Sequence, residues 1–150
     1  MERITIEIDK SRVYEEVAKA TDYTGSKLVG GDDEARDRIL AADDDLANLG
    51  RFWEEAILVA NDRLKCMLES GTDFGDTYEV IISVSKSFDK ALTDSVESTL
   101  RGFFIAWIIG QWFKFANKAE AGEYLTQASE LLTTAERLLY NRKKPTVPRD

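Results

Sequence analysis

The side chains able to do chemistry in this sequence are almost all carboxylates. Its 150 residues include 28 Asp and Glu, no histidine and one cysteine. Without histidine the chain lacks the commonest general base and the commonest transition-metal ligand. That excludes Ser-His-Asp and Cys-His nucleophile systems and Glu-x-x-His di-iron bundles. The lone Cys66 allows neither an internal disulfide nor a Cys-rich zinc site. Cys66 adjoins Met67 in an apolar helical pattern, which predicts an inert core side chain, and a single cysteine fits a reducing compartment. Two carboxylate groupings stand out. Glu15-Glu16 is followed after 17 residues by Glu34-x-x-Asp37, and Asp43-Asp44-Asp45 forms an unbroken acidic run.

The first grouping resembles the EE…ExxD signature of the all-α nucleotide pyrophosphohydrolases. The resemblance covers roughly 23 residues. It implies that Glu15, Glu16, Glu34 and Asp37, on two facing helices, hold Mg²⁺ against a triphosphate and activate water, as hard oxygen ligands suit that ion. The residues around it favour another reading. Glu34 and Asp37 lie beside Asp32, Asp33, Arg36 and Arg38 at a helix start, where acids match the positive end of the dipole and stay solvated. Neither a metal nor any other cofactor is therefore expected. Asp43, Asp44 and Asp45 point about 100° apart on a helix and cannot all chelate one ion, so they read as a charged outer face or as a docking patch for a basic partner.

Charge is unevenly distributed. Residues 1–75 carry 10 basic and 18 acidic side chains, whereas residues 76–150 carry 10 of each, giving the net charge of −8. An acidic surface repels phosphate backbones, so nucleic-acid partners are disfavoured. Apolar content of 43% and charged content of 32% describe a soluble folded chain with one core. Met1-Glu2-Arg3-Ile4-Thr5 shows no apolar signal core, so no export signal is expected.

The elements that must position these groups follow from hydrophobic spacing. Ile4, Ile6 and Ile8 alternate with Thr5 and Glu7, predicting a strand over 3–8. A helix over 11–23 carries Val13, Tyr14, Val17 and Ala18 on one face. A long helix over 32–69 follows, with Ile39, Ala42, Leu46, Leu49, Trp53, Ala56 and Ala60 in three-four steps and Leu64, Met67 and Leu68 extending it. Gly71–Asp76 reads as a loop. Tyr78, Val80, Ile82 and Val84 favour a strand over 77–85 that would pair with the first, although Tyr78, Ile81, Ile82 and Ser85 also permit a helix. Helices over 87–116 and 119–141 complete the domain, 1–141. The stretch Phe103–Phe115 is apolar nearly all round, which predicts burial on several sides, and it is too short to span a bilayer of about 20 residues. The fold expected is mainly α: an antiparallel helical bundle with long helices and a small two-stranded β ribbon.

Residues 142–150 close the chain with Arg142, Lys143, Lys144 and Arg149 around two prolines, an extended basic tail. With Asp43–Asp45 these four residues are the expected protein-binding elements. The acidic first half complements the tail, and an acid face on one subunit meeting a basic arm of the next gives a ring-forming contact.

The segment Val13-Tyr14-Glu15-Glu16-Val17-Ala18, the opening Asp32-Asp33-Glu34 of a long helix, Tyr124-Leu125-x-x-Ala128, and Leu138-Leu139-Tyr140-Asn141-Arg142-Lys143-Lys144-Pro145 together resemble small head–tail connector (neck adaptor) proteins of tailed bacteriophages and prophages. That resemblance covers about half the chain. It implies a non-enzymatic structural role, with no catalytic residues, in a ring or against neighbouring virion proteins, and a location in the host cytoplasm during assembly or in the virion. Two alternatives stay open: the Mg²⁺-dependent pyrophosphohydrolase, and an acidic antitoxin-like regulator of a basic partner.

Overall fold

The computed structural model describes residues 2–29 and 46–141. The described residues form β1 (Glu2–Asp9), α1 (Lys10–Val29), α2 (Leu46–Arg63), β2 (Leu68–Asp73), β3 (Thr77–Val84), a 3-10 turn (Lys90–Leu92), α3 (Thr93–Ala116) and α4 (Lys118–Leu139). The chain is mainly helical, as expected, but the β component is a three-stranded antiparallel sheet ordered β1-β3-β2 rather than a two-stranded ribbon.

The third strand corrects the expectation of an unbroken helix through residue 69 and of a loop from Gly71. The helix stops at Arg63, and residues 64–67 turn the chain back, with Met67 N–H donating to Leu64 O. Leu68–Asp73 then pairs with β3, which would otherwise leave one row of backbone donors and acceptors unsatisfied. Ser83 N–H donates to Met67 O at 2.8 Å on this side of β3. Cys66 falls on the turn and is exposed, so the expected core position is also corrected.

Register explains the alternation read from the sequence. Ile4, Ile6 and Ile8 stand opposite Ile82, Val80 and Tyr78 and are buried with them on one face. The other face carries Arg3, Thr5 and Glu7, with Arg3 Nε 2.7 Å from Glu69 Oε2 across the sheet. The β2 edge is blunted twice, by a register shift between Leu68 and Ser70 and by Asn61 Nδ2 donating to Gly71 O at 3.2 Å.

α1 begins directly after β1, with Asp9 Oδ1 accepting from Ser11 N–H, and runs six residues beyond the expected end at 23. α3 starts at Thr93 rather than 87, because Asp89 caps a 3-10 turn first. The α3–α4 connection is a single residue, Asn117. Its N–H donates to Phe113 O and its Oδ1 accepts from Glu120 N–H, closing one helix and capping the next. α4 ends at Leu139 rather than 141.

α3 is buried on most of its circumference. Phe104 lies at the centre, with ring centroids 4.9 Å from Trp53, 5.3 Å from Tyr78 and 5.5 Å from Phe103, joining α2, β3 and α3. Along α4, Ala121, Ala128, Leu132, Ala135 and Leu139 are buried. Gly102 faces Leu131 and Gly110 faces Leu125, which makes α3 and α4 antiparallel neighbours.

Candidate protein-interaction surface

Of the acidic site suggested by the sequence, only Glu15 and Glu16 fall among the described residues. Glu15 and Glu16 are both exposed on α1, between buried Val13 and Val17, and Glu16 pairs with Lys19 at 3.6 Å. Glu34 and Asp37 lie outside the described residues. So do Asp43, Asp44 and Asp45, and Arg142, Lys143, Lys144 and Arg149. Among the described residues no three acidic or cysteine side chains converge to hold a metal ion. A cleft of about 290 Å³ between β1, α1 and α3 is lined by Glu7, Asp9, Arg12, Thr77, Glu97 and Arg101. Its charges alternate in sign. Arg101 faces Glu97 at 3.9 Å and Asp9 caps α1, so the cleft presents a mixed ion-pair surface with no strong preference for one ligand charge.

A different surface stands out. At about 100° per residue, Glu54, Leu58 and Asn61 share an arc of about 60° on α2. Asn61 fixes one end of that stripe to the sheet. Its Nδ2 donates to Gly71 O on β2, and its Oδ1 accepts the Tyr78 hydroxyl of β3 at 2.5 Å. Gly71 is required at this crossing, because a Cβ there would collide with the Asn61 amide. At the other end, Glu54 and Asp73 both act on Tyr14. Leu58 lies between Glu54 and Asn61 on α2, and 68% of it is exposed.

Phe74 follows at the end of the same strand and is 61% exposed. Its mount is fixed. Phe74 N–H donates to Thr77 O at 2.9 Å, Gly75 N–H to Asp73 Oδ1 at 2.9 Å, Lys10 Nζ to Gly75 O at 3.2 Å and Lys10 N–H to Asp76 O at 2.9 Å. Gly75 has φ +95°, a conformation that side-chain-bearing residues rarely adopt, so glycine sets the turn that aims Phe74 outward. Asp73 and Asp76, next to Phe74 in the chain, and Glu54 and Asp62, on the same helix as Leu58, are exposed, and Asp62 pairs with Lys65 at 3.9 Å.

Under this surface Lys10 Nζ lies 5.6 Å from the Tyr14 ring centroid and 5.9 Å from that of Trp53. Among the described residues the buried Tyr14 hydroxyl has no hydrogen-bond partner, and neither has Trp53 Nε1. Burial, followed by the charges of Asp73 and Glu54, pushes the Tyr14 hydroxyl up to about 12. Burial also raises Tyr78, whose hydroxyl has Asn61 as its partner.

Sequence reasoning passed over both exposed residues. Leu58 lies off the Trp53–Ala56–Ala60 seam, and Phe74 is a lone aromatic within Asp73-Phe74-Gly75-Asp76. Each departs from a local pattern, and that departure was the available signal. Comparison with protein-family models, with curated proteins and with solved structures gave no match.

Proposed function

We propose that the chain is a non-enzymatic assembly protein that works through protein–protein contacts, as a head–tail (neck) component of a tailed phage or prophage. The observation that carries the contact role is Phe74, 61% exposed and held out on a hydrogen-bonded hairpin. Fully burying a side chain of this type is worth about 1.5–3 kcal/mol. A rigidly mounted, exposed aromatic with polar residues around it has the form of an interface anchor. The neck assignment rests on the sequence resemblance of 13–18, 32–34, 124–128 and 138–145. The acidic balance supports a protein rather than a nucleic-acid partner.

The test is solution mass by light scattering, at low and moderate salt, for the parent chain and for a Leu58→Ser/Phe74→Ser double variant. We expect the parent to exceed its monomer mass of 16.9 kDa. We expect the variant to be monomeric with an unchanged thermal midpoint, because neither side chain is part of the core. Association that persists undiminished in the double variant, or a parent that stays monomeric up to about millimolar concentration, where even weak contacts register, sinks this reading.

A further inference from the structure

We infer that the outer edge of β1 is a further interface, on which β1 of a second copy of the chain pairs antiparallel about a two-fold axis at Thr5. This edge is separate from the Phe74 surface. One bond settles which way its backbone faces. Lys10 N–H donates to Asp76 O at 2.9 Å, continuing the β1–β3 register one pair past Asp9 and Thr77. Ile4, Ile6 and Ile8, like Lys10, therefore turn their N–H and C=O groups towards β3. Ser83 N–H, which donates to Met67 O on the β2 side, gives β3 the matching alternation. The backbone groups of Arg3, Thr5 and Glu7 thus point away from the sheet, and no other described segment bonds to them. Unlike the edge at β2, this one carries no register shift, glycine or proline over Glu2–Asp9. An unblunted edge of this kind is a template for a further strand.

Side-chain chemistry selects both the occupant and the register. Across an antiparallel edge, outward-facing residues must lie opposite outward-facing residues. With Thr5 opposite Thr5 of the second copy, Arg3 stands opposite Glu7 and Glu7 opposite Arg3, while Ile4 stands opposite Ile6 on the buried face. The next register one way leaves Arg3 opposite Thr5. The next one the other way sets Glu7 opposite Thr5 and Arg3 opposite Asp9, which already caps α1 through Ser11 N–H. Glu7 gives an independent reason for the first. In its own sheet it stands directly opposite Glu79, an unfavourable like-charge pair, and neither has an ion-pair partner among the described residues. A cation delivered to the open side of β1 relieves that pair. Arg3 can supply it: its side chain is 73% exposed, only Nε is engaged, with Glu69 at 2.7 Å, and the guanidinium has further donors. The same row of Glu7, Arg3 of the other copy and that copy's Glu69 then forms on both sides of the axis. Because one surface meets itself, the contact is isologous, and it joins two three-stranded sheets into one.

The paired stretch is short, and contacts well below about 1,000 Å² are transient. Alone it does not hold a dimer in dilute solution; in an assembly joined also at Phe74 it acts as a second, linked contact. Oxidative trapping detects such a contact. The full-length chains carry Cys66→Ser, because Cys66 is exposed, and Leu58→Ser/Phe74→Ser, so that the Phe74 surface contributes nothing. Opposed residues of a hydrogen-bonded pair have Cα atoms about 5.5 Å apart, within disulfide reach. Thr5→Cys should therefore give a disulfide-linked homodimer. Arg3→Cys and Glu7→Cys should cross-link to each other when mixed but not to themselves, since like positions lie four residues, about 13 Å, apart. Thr72→Cys, exposed on the blunted β2 edge, is the control and should react at the background rate. Adding Arg3→Glu to Thr5→Cys should slow cross-linking at least about fivefold. Arg3→Glu together with Glu7→Arg should restore it, although the Arg3–Glu69 pair within each chain stays broken. Cross-linking of Thr5→Cys no faster than that of Thr72→Cys overturns the inference, as does a charge swap that fails to restore the rate. Preferential linkage of Thr5→Cys to Glu7→Cys would set Ile6 on the axis and overturn it as well.

Discussion

The Tyr78 hydroxyl donates to Asn61 Oδ1 at 2.5 Å, and through that one amide the central strand, the third strand and α2 are tied together. Tyr78→Phe leaves the carbonyl of a half-buried amide without its donor and should cost about 1–3 kcal/mol. Asn61→Ala removes the partners of both the Tyr78 hydroxyl and Gly71 O, and should cost more than Tyr78→Phe. Urea unfolding of the three proteins checks the order: parent, Tyr78→Phe, Asn61→Ala.

Tyr14 should behave in the opposite way. Its buried hydroxyl has no partner among the described residues, so Tyr14→Phe removes a desolvated group and no hydrogen bond. Stability should be unchanged or gain up to about 1 kcal/mol.

Tyr14 also sets an alkaline slope. Its folded value is pushed up to about 12, whereas an unfolded tyrosine ionises near about 10. Between these values the folded state holds the proton and the unfolded state releases it. Stability is therefore full below about pH 10 and falls as pH rises from about 10 to 12. Unfolding midpoints measured over that window should drop less steeply in Tyr14→Phe than in the parent.

Three glycines should respond differently to the same change. At Gly122 on α4 a new Cβ meets nothing within 4 Å, so Gly122→Ala should stabilise by about 0.5–1 kcal/mol through helix propensity. At Gly102 the nearest atom is a Leu131 methyl at 3.3 Å, which can shift, and the net change should be small. At Gly110 a Cβ would stand 2.7 Å from Leu125 side-chain atoms and 3.3 Å from its backbone nitrogen. Gly110→Ala should cost about 1–3 kcal/mol by forcing α3 and α4 apart. Thermal midpoints of the three variants give the comparison.

At the hairpin, stability and association should separate. Gly75→Ala places a side chain at φ +95° and should destabilise by about 1–2 kcal/mol while re-aiming Phe74. Phe74→Ser should leave the unfolding midpoint in place and reduce association alone. Paired calorimetry and light scattering on the two variants make the distinction.

By itself the sequence determined where periodicity is strong. Ile4, Ile6 and Ile8, and Tyr78 through Val84, alternate because one face of each strand is dry, and both are strands. The three-four spacing from Ala121 to Leu139 gives α4, and the near-uniform apolar run from Phe103 gives the buried helix. Local spacing carried that information because it reports which side of an element is covered. Only the tertiary structure decided the third strand. Leu68-Glu69-Ser70-Gly71-Thr72-Asp73 has little strand propensity of its own and is recruited by the open side of β3 and by Asn61, ten residues before Gly71 in the chain. The same holds for the exposure of Cys66, Leu58 and Phe74. Burial at those positions depends on where distant segments lie, and no period of two or of 3.6 residues encodes that.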